Sequence, residues 1–157
     1  MATWSEVSTA APDLSAAVQR VFDAHIHKVL ATLRRDGSPR VSGTEVSFRD
    51  GDVWLGSMPD ALKARDLQRD PRLALHSTPS DAEMTGGDAK IGGRAVEITD
   101  AGELDAMRTD EQPAGPYQLF RVEVDEIVFI TLGGDPPDHI VIESWHEGRG
   151  VQRVERR

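Results

Sequence analysis

Residues Trp54–Leu75, WLGSMPDALKARDLQRDPRLAL, decide the fold. The pattern predicts the end of a strand, a sharp turn, a short basic helix, a second turn and a new strand. Gly56 to Pro59 interrupt the apolar run, and a proline is tolerated in the first helical turn, where its missing N–H group costs no hydrogen bond. The helix must end before Pro71, because the residue preceding a proline is disfavoured in helical geometry.

The predicted helix is basic, with cations at Lys63, Arg65 and Arg69. We expect Ser57 or Met58 at its N-cap. A helix N-terminus presents unpaired N–H groups that attract anions, and Lys63 can reach the same place because helical side chains lean toward the N-terminus. The pattern therefore indicates a phosphate site. The alternative is a solvated face, because three aspartates are interleaved with the cations: Asp60, Asp66 and Asp70.

Composition narrows the class of protein. A chain of 157 residues predicts one domain, and its formal net charge of −9 argues against nucleic acid or an anionic membrane as a partner. The absence of cysteine excludes disulfides, thiolate metal sites and cysteine nucleophiles. The apolar runs are too short to span a bilayer, and residues 1–14 lack the pattern of a signal peptide. We therefore expect a cytoplasmic protein.

The remaining pattern predicts a mainly β domain over residues 1–157. A helix is expected from Pro12 or Asp13 to about His25, because its apolar residues recur at helical spacing. A glycine inside the second strand, Gly43, suggests a bulge or a close backbone approach. Residues 1–10 and 147–157 are expected to be a flexible lead-in and a flexible, extended tail. The expected strands lie near residues 29–33, 41–48, 53–55, 73–77, 89–98, 119–132 and 138–145.

Short turns between successive strands indicate antiparallel pairing, and closure into a small barrel of about six strands would remove exposed edges. The pair Gly92-Gly93 predicts a bulge in the fifth strand. We expect a loop over residues 78–88, a short helix over residues 100–109 and an exposed connection over residues 110–116.

Several enzyme signatures are absent from the sequence. Neither G-x-x-x-x-G-K-[ST] nor G-x-S-x-G occurs. The histidines lack zinc-ligand spacing, and His25-x-His27 fits a helix end or surface role better than a metal site. We therefore predict no metal.

Two motifs, and their order along the chain, resemble those of a known family. They are L-A-T-L-R-x-D-G-x-P-R in residues 30–40 and K-x-R-[ND]-L-x-x-D-P-R in residues 63–72. Together with Gly93-Arg94-Ala95 and the run from Phe120 to Val128, the sequence resembles the split β-barrel flavin-binding family related to pyridoxamine 5'-phosphate oxidase. It is most similar to the actinobacterial branch of flavin- and deazaflavin (F420)-dependent oxidoreductases. The resemblance covers most of residues 25–145.

The resemblance implies a six-stranded antiparallel split β-barrel with an N-terminal helix and a short helix between strands 3 and 4. It also implies a homodimer with two equivalent clefts at its interface. In such proteins the cofactor ring lies across barrel strands and its phosphate lies near the K-x-R helix. Trp145 either closes the partner's cleft or belongs to the core. The implied cofactor-binding residues are Lys63, Ser57, Met58, Arg65, Arg40, Ser42, Thr44, Val46, His76 and Ser77.

Departures from the family pattern bear on the function. Asp66 replaces an asparagine, and Gly43 and Glu45 replace an apolar residue and a proline found in many relatives. The C-terminal end lacks the arginine pattern of the true oxidase, so pyridoxamine phosphate is not the expected substrate. We expect hydride transfer from F420 or FMN to a small organic substrate, with His76 as a candidate proton donor by type. A non-catalytic cofactor- or haem-binding protein and a purely structural homodimer are the alternatives.

The choice of cofactor depends on the basic residues near the helix. F420 carries a polyanionic tail, which needs a basic groove. Such a groove slightly favours F420 over FMN, and its candidate cations are Arg34, Arg35, Lys63, Arg65 and Arg69.

Overall fold

The computed structural model describes residues 1–79, 81–109 and 115–157. Its helices are α1 (Trp4–Ala10), α2 (Pro12–Asp23), α3 (Leu62–Arg69) and α4 (Ala101–Ala106). Its strands are β1 (His27–Leu33), β2 (Pro39–Arg49), β3 (Asp52–Ser57), β4 (Arg72–His76), β5 (Asp88–Ile98), β6 (Gln118–Gly134), β7 (Pro137–His146) and β8 (Gly150–Arg156).

All eight strands form one antiparallel sheet in the order β3-β2-β1-β4-β5-β6-β7-β8. A further pairing of β3 with β6 closes the first six strands into a barrel, which leaves β7 and β8 as an extension beyond it. Closure gives the barrel strands partners on both sides. The predicted mainly β fold, its six-stranded barrel, its N-terminal helix and the helix between strands 3 and 4 are confirmed.

Strand β6 joins the barrel to the extension. Its first part pairs with β3 through residues 118–122, and its last part pairs with β7 through residues 126–134. Along its other edge it pairs with β5 from Leu119 to Ile130. A strand of 17 residues is long enough to pair with both the barrel and the extension, since each residue advances the chain by about 3.3 Å.

One hydrophobic core fills the barrel and continues beneath α2. Leu30, Leu75 and Ile91 point inward from their strands and are almost completely buried. Helix α2 covers this core with Val18 and Phe22, as the helical spacing of its apolar residues predicts. Trp145 is buried in the same core, in agreement with the core alternative for this residue.

The two ends of the chain carry secondary structure that the sequence prediction left out. Thr3 and Glu6 form a capping box at the start of α1, in which Thr3 Oγ1 accepts the Glu6 N–H group at 3.2 Å. The T-x-x-E pattern of residues 3–6 is a known start signal, so this helix was open to prediction. At the other end, the expected extended tail pairs along β7 as β8.

The two predicted bulges have different outcomes. A bulge or a close backbone approach was predicted at Gly43; the β1–β2 register is regular through this residue, so the bulge is wrong. The bulge predicted at Gly92-Gly93 is confirmed by a register shift between β5 and β6. Most of the connection predicted over residues 110–116 lies outside the described residues. Within the described part of the chain, the helices are all too short or too polar to cross a membrane.

Candidate functional site

The corner between β3 and α3 is the predicted phosphate site. Helix α3 begins at Leu62, with Ala61 at the N-cap and no capping side chain. The predicted N-cap at Ser57 or Met58 is wrong, because Asp60 has a φ of 62° and a left-handed residue interrupts a helix. The first N–H groups of α3 therefore have no side-chain cap at this corner.

Lys63 reaches from α3 to the second strand of the barrel. Its Nζ donates to the carbonyl oxygen of Gly43 at 2.9 Å and to Thr44 Oγ1 at 3.3 Å. Burial lowers the pKa of Lys63, and the charge of Glu45 opposes that shift. Among the described residues, Lys63 has no carboxylate within ion-pair distance. Both of these hydrogen bonds connect the half-buried cation to neutral groups.

A small cavity lies beneath the corner. Its volume is about 10 Å³, which is about the space that one water molecule needs. Three predicted cofactor residues meet there, Thr44, Ser57 and Lys63. The cavity is too small to admit a flavin-sized ring.

Two arginines beside α3, Arg40 and Arg69, are both paired with Asp66. Arg40 Nε donates to Asp66 Oδ2 at 2.6 Å, and Arg69 Nη2 donates to Asp66 Oδ1 at 3.0 Å. Thr32 Oγ1 donates to the same carboxylate at 2.9 Å. Burial acts to raise the pKa of Asp66, but these three hydrogen bonds outweigh it and hold that pKa below its ordinary value. We call Thr32, Arg40, Asp66 and Arg69 the Asp66 network.

The remaining predicted residues are more dispersed. Arg65 pairs with Asp60 at 3.2 Å on the surface, and Met58 is 78% exposed beside it. Val46 is buried in the core, and Ser42 is half-buried on the same face of β2. Ser77 is fully buried, where its Oγ accepts the Ala89 N–H group at 3.1 Å. This hydrogen bond gives Ser77 a structural role.

His76 lies in a shallow groove on the outer face of the barrel. The groove has a volume of about 160 Å³ and includes Lys90 and Glu126. His76 Nδ1 lies 2.7 Å from the carbonyl oxygen of Ser77, so Nδ1 carries a proton and Nε2 is the atom left for other partners. In its neutral form His76 can accept a proton at Nε2, and only its protonated form can donate one there.

The groove and the lysine corner lie on one row of the sheet. Val29 pairs with Gly43 on one side and with His76 on the other. Two strand spacings separate Gly43 from His76, a distance of about 10 Å. The sequence prediction missed the groove, although the two-residue period of the strands already places Val29, Ala31, Ala74 and His76 on the outer faces. What the alternation does not show is that β1 and β4 are neighbours.

The family model described as pyridoxamine 5'-phosphate oxidase matches residues 14–131, which is most of the chain. The chain belongs to the pyridoxamine 5'-phosphate oxidase family. Placement of this family member in the actinobacterial branch stays a prediction. Among curated proteins, none matches the chain.

Several solved structures superpose on the chain. General stress protein 26 from Bacillus anthracis str. Sterne has a TM-score of 0.59 at 16% identity, covering 78% of this chain and 94% of its own. PhzG from Burkholderia lata 383, in complex with tetrahydrophenazine-1-carboxylic acid, has a TM-score of 0.63 at 15% identity, with coverages of 97% and 92%. A protein named F420 reductase has a TM-score of 0.54 at 18% identity, with coverages of 69% and 94%. At these identities the likeness shows the fold alone.

Proposed function

We propose that this chain is an oxidoreductase that binds a phosphorylated flavin or deazaflavin, FMN or F420, in a cleft between two copies. It transfers a hydride between that cofactor and a small organic substrate. The observation that carries the proposal is Lys63, a cation without a carboxylate partner among the described residues, at the uncapped N-terminus of α3. Membership of the family and the names of two structural neighbours, F420 reductase and PhzG, support the same class of chemistry.

The residues present fit such a cofactor at the surface of the barrel. The phosphate would be held by Lys63 Nζ and by the first N–H groups of α3, which suit an anion. Val29 and Gly43 offer a flat outer face beside this corner, since no heavy atom lies within 4 Å of a Cβ placed on Gly43. When bound, the cofactor supplies the hydride, and the protein supplies position and electrostatics.

His76 is the candidate for proton transfer at the groove. Its Nδ1 is held by the Ser77 carbonyl oxygen, which fixes the ring with Nε2 as the free nitrogen. Protonated His76 would give a proton to a substrate that has accepted a hydride, and neutral His76 would take one in the reverse direction.

The choice between F420 and FMN is a matter for measurement. Of the five cations that favour F420 in the sequence, the structure pairs Arg65 with Asp60 and Arg69 with Asp66. Arg34 and Arg35 remain exposed at the turn between β1 and β2, where they would meet a polyanionic tail. Equilibrium binding of F420 and FMN to the same preparation decides between them. Binding of neither at high micromolar concentration would refute the proposal, and binding without turnover would favour the non-catalytic alternative.

Substitution of Lys63 tests the phosphate site. We expect Lys63→Gln to weaken binding of the phosphorylated cofactor by about 1.5–3 kcal/mol, because a charge-assisted hydrogen bond is lost. FMN and riboflavin titrations report the effect, since riboflavin lacks the phosphate and should be bound equally by both proteins. Arg153→Gln, on the exposed strand β8 outside the barrel, is the matched control for loss of one positive charge. Equal FMN affinity in wild type and Lys63→Gln would remove Lys63 from the site.

The homodimer has a direct test in solution. The chain has a mass of 17.2 kDa, so light scattering should report twice that mass. A monomer at micromolar concentration, with cofactor present, would contradict a cleft built from two copies.

A further inference from the structure

We propose that Asp66 is a positioning residue that sets the number of cations available to an anionic ligand at the α3 corner. It holds Arg40 and Arg69 inside the Asp66 network and leaves Lys63 as the single available cation of the three. The inference rests on the proposed function, because both concern the predicted phosphate site at the α3 corner.

The first observation is the geometry of the Asp66 carboxylate. It is 3% exposed and accepts hydrogen bonds on both oxygens, from Arg40 and Thr32 on Oδ2 and from Arg69 on Oδ1. Arg69 also donates to the carbonyl oxygen of Leu33. A buried carboxylate with these partners keeps its charge and holds both guanidinium groups in ion pairs, with 18% of the Arg40 side chain and 36% of the Arg69 side chain exposed.

The second observation is that Lys63 and Asp66 occupy neighbouring places on α3. Residues three apart on a helix have Cβ atoms about 5–6 Å apart. Their partners also share one face of β2, because Arg40 and Thr44 are four residues apart on a strand with a period of two. The Asp66 network and the Lys63 contacts therefore lie side by side between α3 and β2.

The third observation is chemical. An asparagine at position 66 would offer one acceptor oxygen and no charge, so it could not neutralise the two arginines. With an aspartate, the corner presents one cation and suits a single phosphate group. A ligand with further negative charges that extends along α3 from Lys63 would find Arg40 and Arg69 already paired with Asp66.

Pyrophosphate binding tests the inference without any cofactor. We expect Asp66→Asn to bind inorganic pyrophosphate about tenfold more tightly than wild type, as measured by calorimetry at fixed ionic strength, because Arg40 and Arg69 are released. Asp70→Asn removes the same formal charge from an aspartate that pairs with Arg72, and its affinity should stay within about twofold of wild type. A purely structural role for Asp66 predicts weaker or equal binding by Asp66→Asn, which would overturn the inference.

Two further measurements complete the test. The double variant Asp66→Asn/Arg40→Gln should lose most of the gain, and a full tenfold gain in it would refute release of Arg40 as the cause. If Asp66→Asn does not fold, NMR titration of the wild type still decides. Pyrophosphate should shift the Lys63 resonances and leave the Arg40 Nε–H resonance unchanged, and equal shifts would overturn the inference.

The outcome is separable from that of the proposed function. If the wild type binds neither FMN nor F420, the proposed function fails, and the pyrophosphate comparison still decides the role of Asp66. If FMN or F420 binds and Asp66→Asn shows no gain for pyrophosphate, only the present inference fails. Absence of pyrophosphate binding in all variants also overturns it.

Discussion

At the scale of single residues, Asp66 has the smallest exposed fraction of the charged residues that the structure describes. Its pKa is depressed in the folded protein, so its charge stabilises the fold above the unfolded value of about 3.9. That stabilisation is lost as the pH falls from this value through the folded pKa. The same sign holds for Asp70, because hydrogen bonds from Arg72 lower its pKa to about 2.

Removal of the Asp66 side chain should be costly at neutral pH. We expect Asp66→Ala to lower the free energy of unfolding by about 3 kcal/mol at pH 7, because Arg40 and Arg69 lose their buried partner. Urea unfolding measures this difference, which should shrink as the pH falls from the unfolded value of about 3.9 through the lower folded pKa of Asp66. A difference that is independent of pH would show that the charge of Asp66 does not stabilise the fold.

The sequence identified the charged residues of this region but not their partners. Lys63, Thr44 and Ser57, which the resemblance implied as cofactor-binding residues, line one small cavity, and their role toward a cofactor stays a prediction. The engagement of Arg40 by Asp66 was not predictable, since 26 residues separate the two and the partner depends on how α3 packs on β2. Local patterns identify charged residues, but packing selects their partners.

At the scale of elements, the bulge in β5 depends on a residue without a side chain. A Cβ on Gly93 would lie 2.2 Å from the backbone oxygen of Glu123 in β6. We expect Gly93→Ala to lower the free energy of unfolding by about 2 kcal/mol, because two paired strands must move apart. Urea unfolding followed by circular dichroism measures the change.

Gly43 provides the matched control for Gly93. It also lies inside a strand, but a Cβ there would meet no heavy atom within 4 Å. Gly43→Ala should therefore raise the free energy of unfolding by about 0.5 kcal/mol, because alanine loses less backbone entropy on folding. Equal losses in both variants would show that the bulge is not a close contact. The sequence flagged both glycines, and only the register of the strands distinguishes them.

Secondary structure was predictable wherever a single turn residue or a regular spacing of apolar residues determines it. Asp36-Gly37 closes the first hairpin, and the apolar spacing of α2 gives its buried face. The start of α3 was not predictable, because the left-handed conformation of Asp60 moves it past Pro59. Strand β8 is exposed along its whole length, so its sequence lacks the alternation of buried and exposed residues that predicts a strand.

At the scale of the whole molecule, three tryptophans report on different regions. Trp4 in α1 packs against Phe48, Trp54 belongs to a small cluster with Ile98 and Leu119, and Trp145 lies in the extension. If the chain is a single domain, variants that retain one tryptophan each should show fluorescence and circular dichroism transitions that coincide in urea. An earlier transition for Trp145 would show that the extension unfolds separately.

The length of β6 has a consequence for how the molecule can open. Over residues 119–122 it is hydrogen bonded to β3 and β5, and over residues 126–130 it is bonded to β5 and β7. Ala2 bridges to Val124 between those two stretches. If the sheet separates along one edge of β6, the hydrogen bonds along the other edge still hold this strand in place. We therefore expect β6 to be the last strand of the sheet to lose its hydrogen bonds when the molecule opens.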